Sequence, residues 1–283
     1  MSTSTATYEV RGTTALITLN RPASHNAQNM RLILDLDSAF DTAQADDRVR
    51  VVVLRGAGKS FSSGHDLTIV AEGAVGDELE QRYLDRRAEP ETLYQHEAEM
   101  YVGKCLRIRD FPKPTIAMVH GNCIAAGWML ASMCDLIVAG QGARFSDPVA
   151  RMACVGVEIP VEFWDVGVRK AKELLFTGDK LTAEEGKALG FVNQVVPDDQ
   201  LEAFTLAMAE RIGKAPAVAL RLIKQSMNTS LDHMGQSTSF RQHFTLHQFA
   251  HQTREFKDFV GQADRSVKSF VGRRDGAFAA SGE

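Results

Sequence analysis

The sequence predicts a mixed α/β fold followed by a helical C-terminal part. Short runs rich in β-branched residues, which favour strands, recur at 15–19, 50–55, 114–119, 136–139 and 192–196. Helical periodicity lies between them, as at 30–43, and it continues alone after residue 197. Alternating strands and helices pack most economically as sheet layers backed by helices. We therefore predict an α/β core over residues 1–200 and a helical region over residues 201–283.

Composition and charge exclude several classes of protein. The 283 residues carry 32 Lys and Arg against 36 Asp and Glu, and a net charge of −4 gives no field that would attract nucleic acid or an anionic membrane. No apolar run reaches the roughly 18 residues of a membrane span. Residues 1–7 lack a basic start and an apolar stretch, so no signal peptide is predicted. The four cysteines form no C-x-x-C pair, which favours buried, reduced thiols in a cytoplasmic protein.

Local signals mark one helix and one irregular segment. Thr182 and Glu185 have the spacing of a capping box, and Gly190 is placed to end the helix that they begin. The segment 68–101 is charged and only weakly periodic, so we expect mobile helices beside a cleft.

Two turns rich in small residues follow predicted strands, at 59–67 and 119–128. Glycine lets backbone approach a ligand closely, and a helix N-terminus presents free N–H groups. Two such turns facing each other would place two N–H donors on one carbonyl oxygen, which is an oxyanion hole. For either turn alone, simple backbone geometry explains the glycines equally well.

Six segments together resemble the enoyl-CoA hydratase/isomerase (crotonase) family over nearly the whole chain. Each is modest alone, but all six occur in the family's order and spacing. They are 17–22 (ITLNRP), 61–67 (FSSGHDL), 117–135 with Gly121 and Gly127, 145–148 (FSDP), 175–179 (LFTGD) and 188–197 (ALGFVNQVVP).

The resemblance implies a spiral of strand-strand-helix turns with C-terminal helices that assemble trimers, often stacked as hexamers. It implies an acyl-CoA substrate, with coenzyme A as part of that substrate and no permanently bound cofactor. It assigns the two oxyanion donors to the main-chain amides of His65 and Ala126. It also places further residues around the CoA thioester: Ser63, Asp66 and Leu67 beside it, His25 and Ala27 near the adenosine, and Lys268 and Phe270 in a basic terminal motif near the phosphates.

Both glutamates of the family's hydratases are absent. Their places are taken by Met129, three residues after Ala126, and by Val149, directly after Pro148. Methionine and valine cannot activate water or transfer protons. We therefore do not expect hydration by the two-glutamate mechanism.

Three other residues are candidates for the proton chemistry. Glu158 lies near the place where chlorobenzoyl-CoA dehalogenases of the family carry an aspartate, although a structural carboxylate is the alternative. Asp147 either acts on substrate or binds a local backbone N–H, as Asp does in turns. His65 offers an imidazole that can move a proton near neutral pH, or else only its backbone amide.

Other positions have competing interpretations. Asp66 is either a ligand contact or a helix N-cap, and Trp128 lines the acyl pocket or fills the core. His243, His247 and His251 are spaced four apart, which suits zinc, but phenylalanines share their helical face. That stripe is more typical of a packed or subunit-interface surface, so we predict no metal site.

The sequence therefore favours an acyl-CoA enzyme that stabilises a thioester enolate by a non-hydratase route. Isomerisation, hydrolysis and decarboxylation all remain open. The alternative is a CoA-thioester-binding or scaffold protein that has lost catalysis. The intact turn at 61–67 argues against a scaffold, because mere binding does not need that backbone.

Overall fold

A six-stranded sheet forms the centre of the fold in the computed structural model, which describes residues 4–68, 77–261, 267–276 and 278. Its strands lie in the order β1-β2-β3-β4-β6-β9, and all neighbours are parallel except β1 and β2. A smaller sheet has the order β5-β7-β8. The strands are β1 Ala6–Arg11, β2 Thr14–Leu19, β3 Val51–Gly56, β4 Thr115–Val119, β5 Asn122–Ile124, β6 Leu136–Gly140, β7 Arg144–Ser146, β8 Leu181–Thr182 and β9 Gln194–Val196.

Helices cover both faces of the large sheet and, within the described ranges, continue as far as Gly276. None in the described ranges is both long and apolar enough to cross a bilayer. They are α1 Met30–Ala45, α2 Glu78–Arg86, α3 Pro90–Glu97, α4 Lys104–Arg109, α5 Ala126–Ser132, α6 Val161–Val166, α7 Val168–Thr177, α8 Ala183–Leu189, α9 Leu201–Gly213, α10 Ala217–His233, α11 Gln236–Gln252, α12 Arg254–Gly261 and α13 Val267–Gly276, with a π-helical turn at Ala98–Gly103.

The central strands read as unbroken apolar runs because both faces of a parallel sheet are buried. One face, which includes Ile17 and Leu54, packs on Phe40 of α1. The opposite face, which includes Leu16 and Val53, packs on α9. All four cysteines are buried and free, as expected.

Each strand predicted from the sequence lies within one residue or two of an observed strand. The capping box is also confirmed: the Thr182 side chain accepts from the Glu185 amide at 3.2 Å, and Glu185 Oε2 accepts from the Thr182 amide at 2.8 Å. Four strands were not predicted: β1, an edge strand with a half-exposed alternating pattern, and the short strands β5, β7 and β8 of the smaller sheet. Within 68–101, residues 69–76 lie outside the described structure, and the rest form α2, α3 and the π-helical turn.

The parallel arrangement positions the two small-residue turns. β3 and β4 are neighbours, so the segments that leave their carboxyl ends emerge at the same edge of the sheet. The first segment pairs with the small sheet there: the Ser62 amide donates to Asn122, and the Ile124 amide donates back to Ser62.

Candidate active site

The two turns predicted to carry the amide donors are in direct contact. Gly64 has φ +89°, a left-handed conformation that favours glycine. A Cβ added to Gly64 would lie 2.9 Å from the Ile124 carbonyl oxygen and 3.3 Å from the Ala126 nitrogen. A Cβ on Gly127 would lie 2.6 Å from the Ser62 carbonyl oxygen. Glycine at both positions is therefore what allows the turns to approach.

The amides of His65 and Ala126 donate to no main-chain carbonyl in the described part of the chain. Ala126 begins α5, where a helix leaves its first N–H groups unpaired. The unusual backbone falls on Ala125, with φ 51° and ψ −118°, so Ala126 itself keeps the negative φ that an alanine needs there. Gln28 braces the arrangement, because its side-chain amide donates to the Ala126 carbonyl at 3.0 Å.

The His65 ring hydrogen bonds to Glu158. Their Nε2 and Oε2 atoms are 2.9 Å apart, Glu158 is 3% exposed, and the His65 ring stacks on Tyr101 with centroids 4.1 Å apart. Burial alone would raise the pKa of Glu158, but His65 and His247 outweigh it and hold that pKa below its usual range. An ionised carboxylate only accepts, so Nε2 carries the proton. His65 Nδ1 has no hydrogen-bond partner in the described structure.

Behind Glu158 lies a buried group of charged side chains that the sequence analysis did not assemble. His247 Nε2 is 3.6 Å from Glu158 Oε1 and 3.8 Å from Glu97 Oε2. Burial and the negative charge of Glu158 raise the pKa of Glu97. His251 Nδ1 is 3.9 Å from the same Glu97 oxygen. No sequence signal pointed to Glu97. The spacing of His247 and His251 suited zinc, but it was interpreted as a packed or subunit-interface surface.

Two connected spaces surround these residues. The inner cavity, about 120 Å³, is lined by His65, Glu97, Glu158, His247 and His251, together with apolar side chains that include Leu67, Val149 and Phe256. The outer groove, about 420 Å³, shares His65 with the cavity. Its wall contains the other residues predicted to meet the thioester or the adenosine, which are His25, Ala27, Ser63, Asp66 and Leu67. It also contains three cationic side chains, those of Arg151, Lys180 and Arg274.

Asp147 and Trp128 do not line the inner cavity. The Asp147 carboxylate accepts from the main-chain amides of Val149 and Val157, at 3.0 and 3.3 Å, and it lies behind the wall. Asp147 therefore has the local backbone partners that were the alternative interpretation, and its catalytic role stays a prediction. Trp128 is fully buried, packs on Phe145 and donates to Asp165 at 2.8 Å, so it fills the core instead of lining the acyl pocket.

Three further candidates are placed less centrally. Asp66 pairs with Arg21 at 2.7 Å and accepts from the Thr68 amide at 3.0 Å, so its carboxylate has local partners although the residue lines the groove. Lys268 is an exposed residue of α13, and it lines neither the inner cavity nor the outer groove. The side chain of Phe270 lies outside the described structure.

At the two hydratase positions the side chains are apolar and buried. Met129 on α5 is fully buried, and Val149 lines the inner cavity. The carboxylates in the cavity wall are Asp66, Glu97 and Glu158, which come from other elements of the fold.

A spiral of parallel strands with two touching turns above a cleft defines the crotonase class of acyl-CoA proteins. The model of the enoyl-CoA hydratase/isomerase family matches residues 9–281, and the chain belongs to that family.

Individual relatives agree with this assignment. EchA13 of Mycobacterium tuberculosis, whose name assigns it provisionally to the enoyl-CoA hydratases, is 43% identical over 85% of this chain and 78% of its own. The 2,3-dehydroadipyl-CoA hydratase of Escherichia coli is 30% identical over 82% of this chain and 85% of its own. The crystal structure of an enoyl-CoA hydratase/isomerase from Xanthobacter autotrophicus Py2 superimposes with a TM-score of 0.87 at 29% identity, covering 98% of this chain and 99% of that one.

Proposed function

We propose that this protein forms the enolate of an acyl-CoA thioester and returns a proton to it, by a route other than two-glutamate hydration. The observation that carries the proposal is the hydrogen bond from His65 to Glu158, beside the unpaired amides of His65 and Ala126. One residue thus contributes a main-chain donor and a side-chain base to the same space.

The amides supply the electrostatic part of the mechanism. A thioester in the outer groove with its carbonyl oxygen between the His65 and Ala126 turns receives two N–H donors. Negative charge that develops on this oxygen is stabilised by donors that are already fixed. Each donor typically lowers the free-energy barrier by about 3 kcal/mol. The α-proton of the thioester becomes correspondingly easier to remove.

The His65–Glu158 pair supplies the proton transfer. Glu158 holds Nε2–H, fixes the tautomer and stabilises the imidazolium that forms when Nδ1 takes a proton. One such pair can remove a proton from one carbon of the acyl group and return it to another carbon of that group. This favours isomerisation of a double bond in the acyl group. Adding water would need a second acid–base group where Met129 and Val149 stand.

The test is hydrogen exchange in deuterated water with a panel of saturated and unsaturated acyl-CoAs. We expect α-deuterium and a shifted double bond without a gain of water. Free CoA or carbon dioxide as the main product would contradict isomerisation, and tight binding with no exchange at all would favour a catalytically silent binding protein.

Variants separate the ring from the backbone. His65→Gln keeps the main-chain amide, so it should abolish exchange while acyl-CoA affinity stays nearly unchanged. Glu158→Gln should do the same. The control is Glu162→Gln: Glu162 is buried outside both cavities, and burial with the Asp147 charge raises its pKa, so a neutral amide mimics it. Normal exchange in Glu158→Gln would remove Glu158 from the mechanism.

We also propose that the region 201–283 assembles the protein into trimers. Supporting this, α10 exposes Val218, Leu222, Ile223 and Met227, each at least 57% exposed. Exposed apolar surface on this scale is typical of an association face. Light scattering of the purified protein gives the mass in solution, and a monomer at micromolar concentration would contradict the proposal.

A further inference from the structure

We propose that Glu97, Glu158 and His247 bind a divalent transition-metal cation such as Zn²⁺ at the end of the inner cavity, with His251 as a fourth donor. The site shares Glu158 with the pair that we propose for proton transfer, but its donor atoms are defined without any thioester. It differs from the zinc pattern noticed in the sequence, since His243 instead contacts the Val157 carbonyl at 2.8 Å.

The donor atoms converge. One atom each of Glu97, Glu158 and His247 lies within 4.8 Å of the others. His247 Nε2 is 3.6 and 3.8 Å from the two carboxylates, which is beyond hydrogen-bond distance. It has no other partner among the residues that the structure describes, although His247 is only 4% exposed. Zinc bonds of about 2.0–2.2 Å place neighbouring ligand atoms roughly 3.3 Å apart. A small contraction therefore brings all three into bonding distance.

Each donor is held in place from behind. His247 Nδ1 lies 2.9 Å from the Gly156 carbonyl oxygen, so Nδ1 carries a proton and Nε2 faces the carboxylates. A bound cation would displace the proton that Nε2 carries while His247 is an imidazolium. Glu97 accepts from Gln248 at 2.6 Å and from Tyr83 at 3.1 Å. Glu158 accepts from His65 through its other oxygen. Ligand orientation by such outer partners is a general property of metal sites.

The chemistry of the donor set favours a transition metal. Imidazole nitrogen with carboxylate oxygen suits Zn²⁺ and its neighbours, whereas Mg²⁺ and Ca²⁺ prefer oxygen alone. His251 Nδ1 is also buried, has no hydrogen-bond partner in the described ranges and lies 3.9 Å from the Glu97 oxygen. A divalent cation would offset two buried carboxylates and would fix the Glu158 oxygen that does not hold His65.

Cys154 belongs to an overlapping group with His247 and His251. Its sulfur lies 3.6 Å from His247 Nδ1, the nitrogen already bound to the Gly156 carbonyl. The other ring nitrogen of His247, Nε2, faces the carboxylates. The geometry therefore assigns the cation to the carboxylate side.

The experiment measures zinc in the full-length protein without substrate. The protein is treated with a chelator, freed of it, equilibrated with excess Zn²⁺ and gel-filtered, and zinc is counted by mass spectrometry. We expect one zinc per chain. Glu97→Gln and His247→Gln should weaken binding at least about tenfold. The matched control is His243→Gln, one turn earlier on α11, which should keep wild-type zinc.

A wild-type protein that holds no more zinc than His247→Gln would overturn the proposal and leave Glu97, Glu158 and His247 as an imidazolium–carboxylate cluster.

Co²⁺ absorption of the wild-type protein gives a second readout, which does not depend on a variant that folds. Visible bands without a thiolate charge-transfer band support the site. An intense thiolate band would overturn it by placing the ion on Cys154, and no bands at all would exclude a bound cation. None of these outcomes bears on the deuterium exchange.

Discussion

Replacing Gly64 by alanine should separate the two amide-bearing turns. Gly64 has φ +89°, so any side chain there carries a backbone penalty of about 1–2 kcal/mol. The new Cβ would stand 2.9 Å from the Ile124 carbonyl oxygen, and ordinary contact begins near 3.4 Å. The turns must therefore move apart by about half an ångström, and that movement acts directly on the Ala126 amide, 3.3 Å from the same Cβ.

The size of the effect follows from the loss of one donor. Losing one oxyanion donor slows the chemical step about 10²–10³-fold, and a displacement of about 1 Å in a catalytic site costs about a hundredfold. We expect Gly64→Ala to exchange α-hydrogen about a hundredfold more slowly than wild type. Binding of CoA itself should change little, because the groove wall around His25 is not displaced.

The matched control is Gly190→Ala. Gly190 has φ +95°, and nothing lies within 4 Å of its added Cβ. This variant carries the same backbone strain, so its free energy of unfolding should fall by about 1 kcal/mol while exchange stays at the wild-type rate. The assay is mass spectrometry of acyl-CoA in deuterated water. If Gly64→Ala exchanged as fast as Gly190→Ala, the amide of Ala126 would not act in the reaction.

Three further predictions concern stability and positioning. Burial raises the pKa of Asp165 to about 6. The contribution of Asp165 to stability is therefore present below its unfolded pKa near 3.9 and is lost as pH rises through 6. In denaturant titrations, Asp165→Asn should gain about 3 kcal/mol of unfolding free energy relative to wild type between pH 4 and 7, and parallel pH curves for the two proteins would contradict this. Thr182→Ala removes the capping box and should cost about 1 kcal/mol with normal exchange activity; an unchanged denaturation midpoint would refute the cap. Gln28→Leu removes the side-chain donor to the Ala126 carbonyl, which should cost about 1 kcal/mol and slow exchange. Exchange at the wild-type rate would show that this brace is dispensable.

The sequence alone was enough for what depends on local pattern. Short β-branched and apolar runs located the main strands, and the Thr182 capping box located α8, because these signals arise within a few consecutive residues. The touching turns around Gly64 and Ala126 were also predicted, since glycine and alanine mark a close backbone approach wherever it occurs. The edge strand β1 was missed because a half-exposed strand lacks an apolar run.

Side-chain direction was decided only by the tertiary structure. Asp147 and Glu158 are both carboxylates of one irregular segment, yet Asp147 turns toward backbone amides and Glu158 toward His65. Glu97 meets His247 from 150 positions away in the chain, which no local period records. Burial and long-range packing choose among rotamers that the sequence leaves equally open, and the charged cluster of the inner cavity exists only once α3 and α11 have packed together.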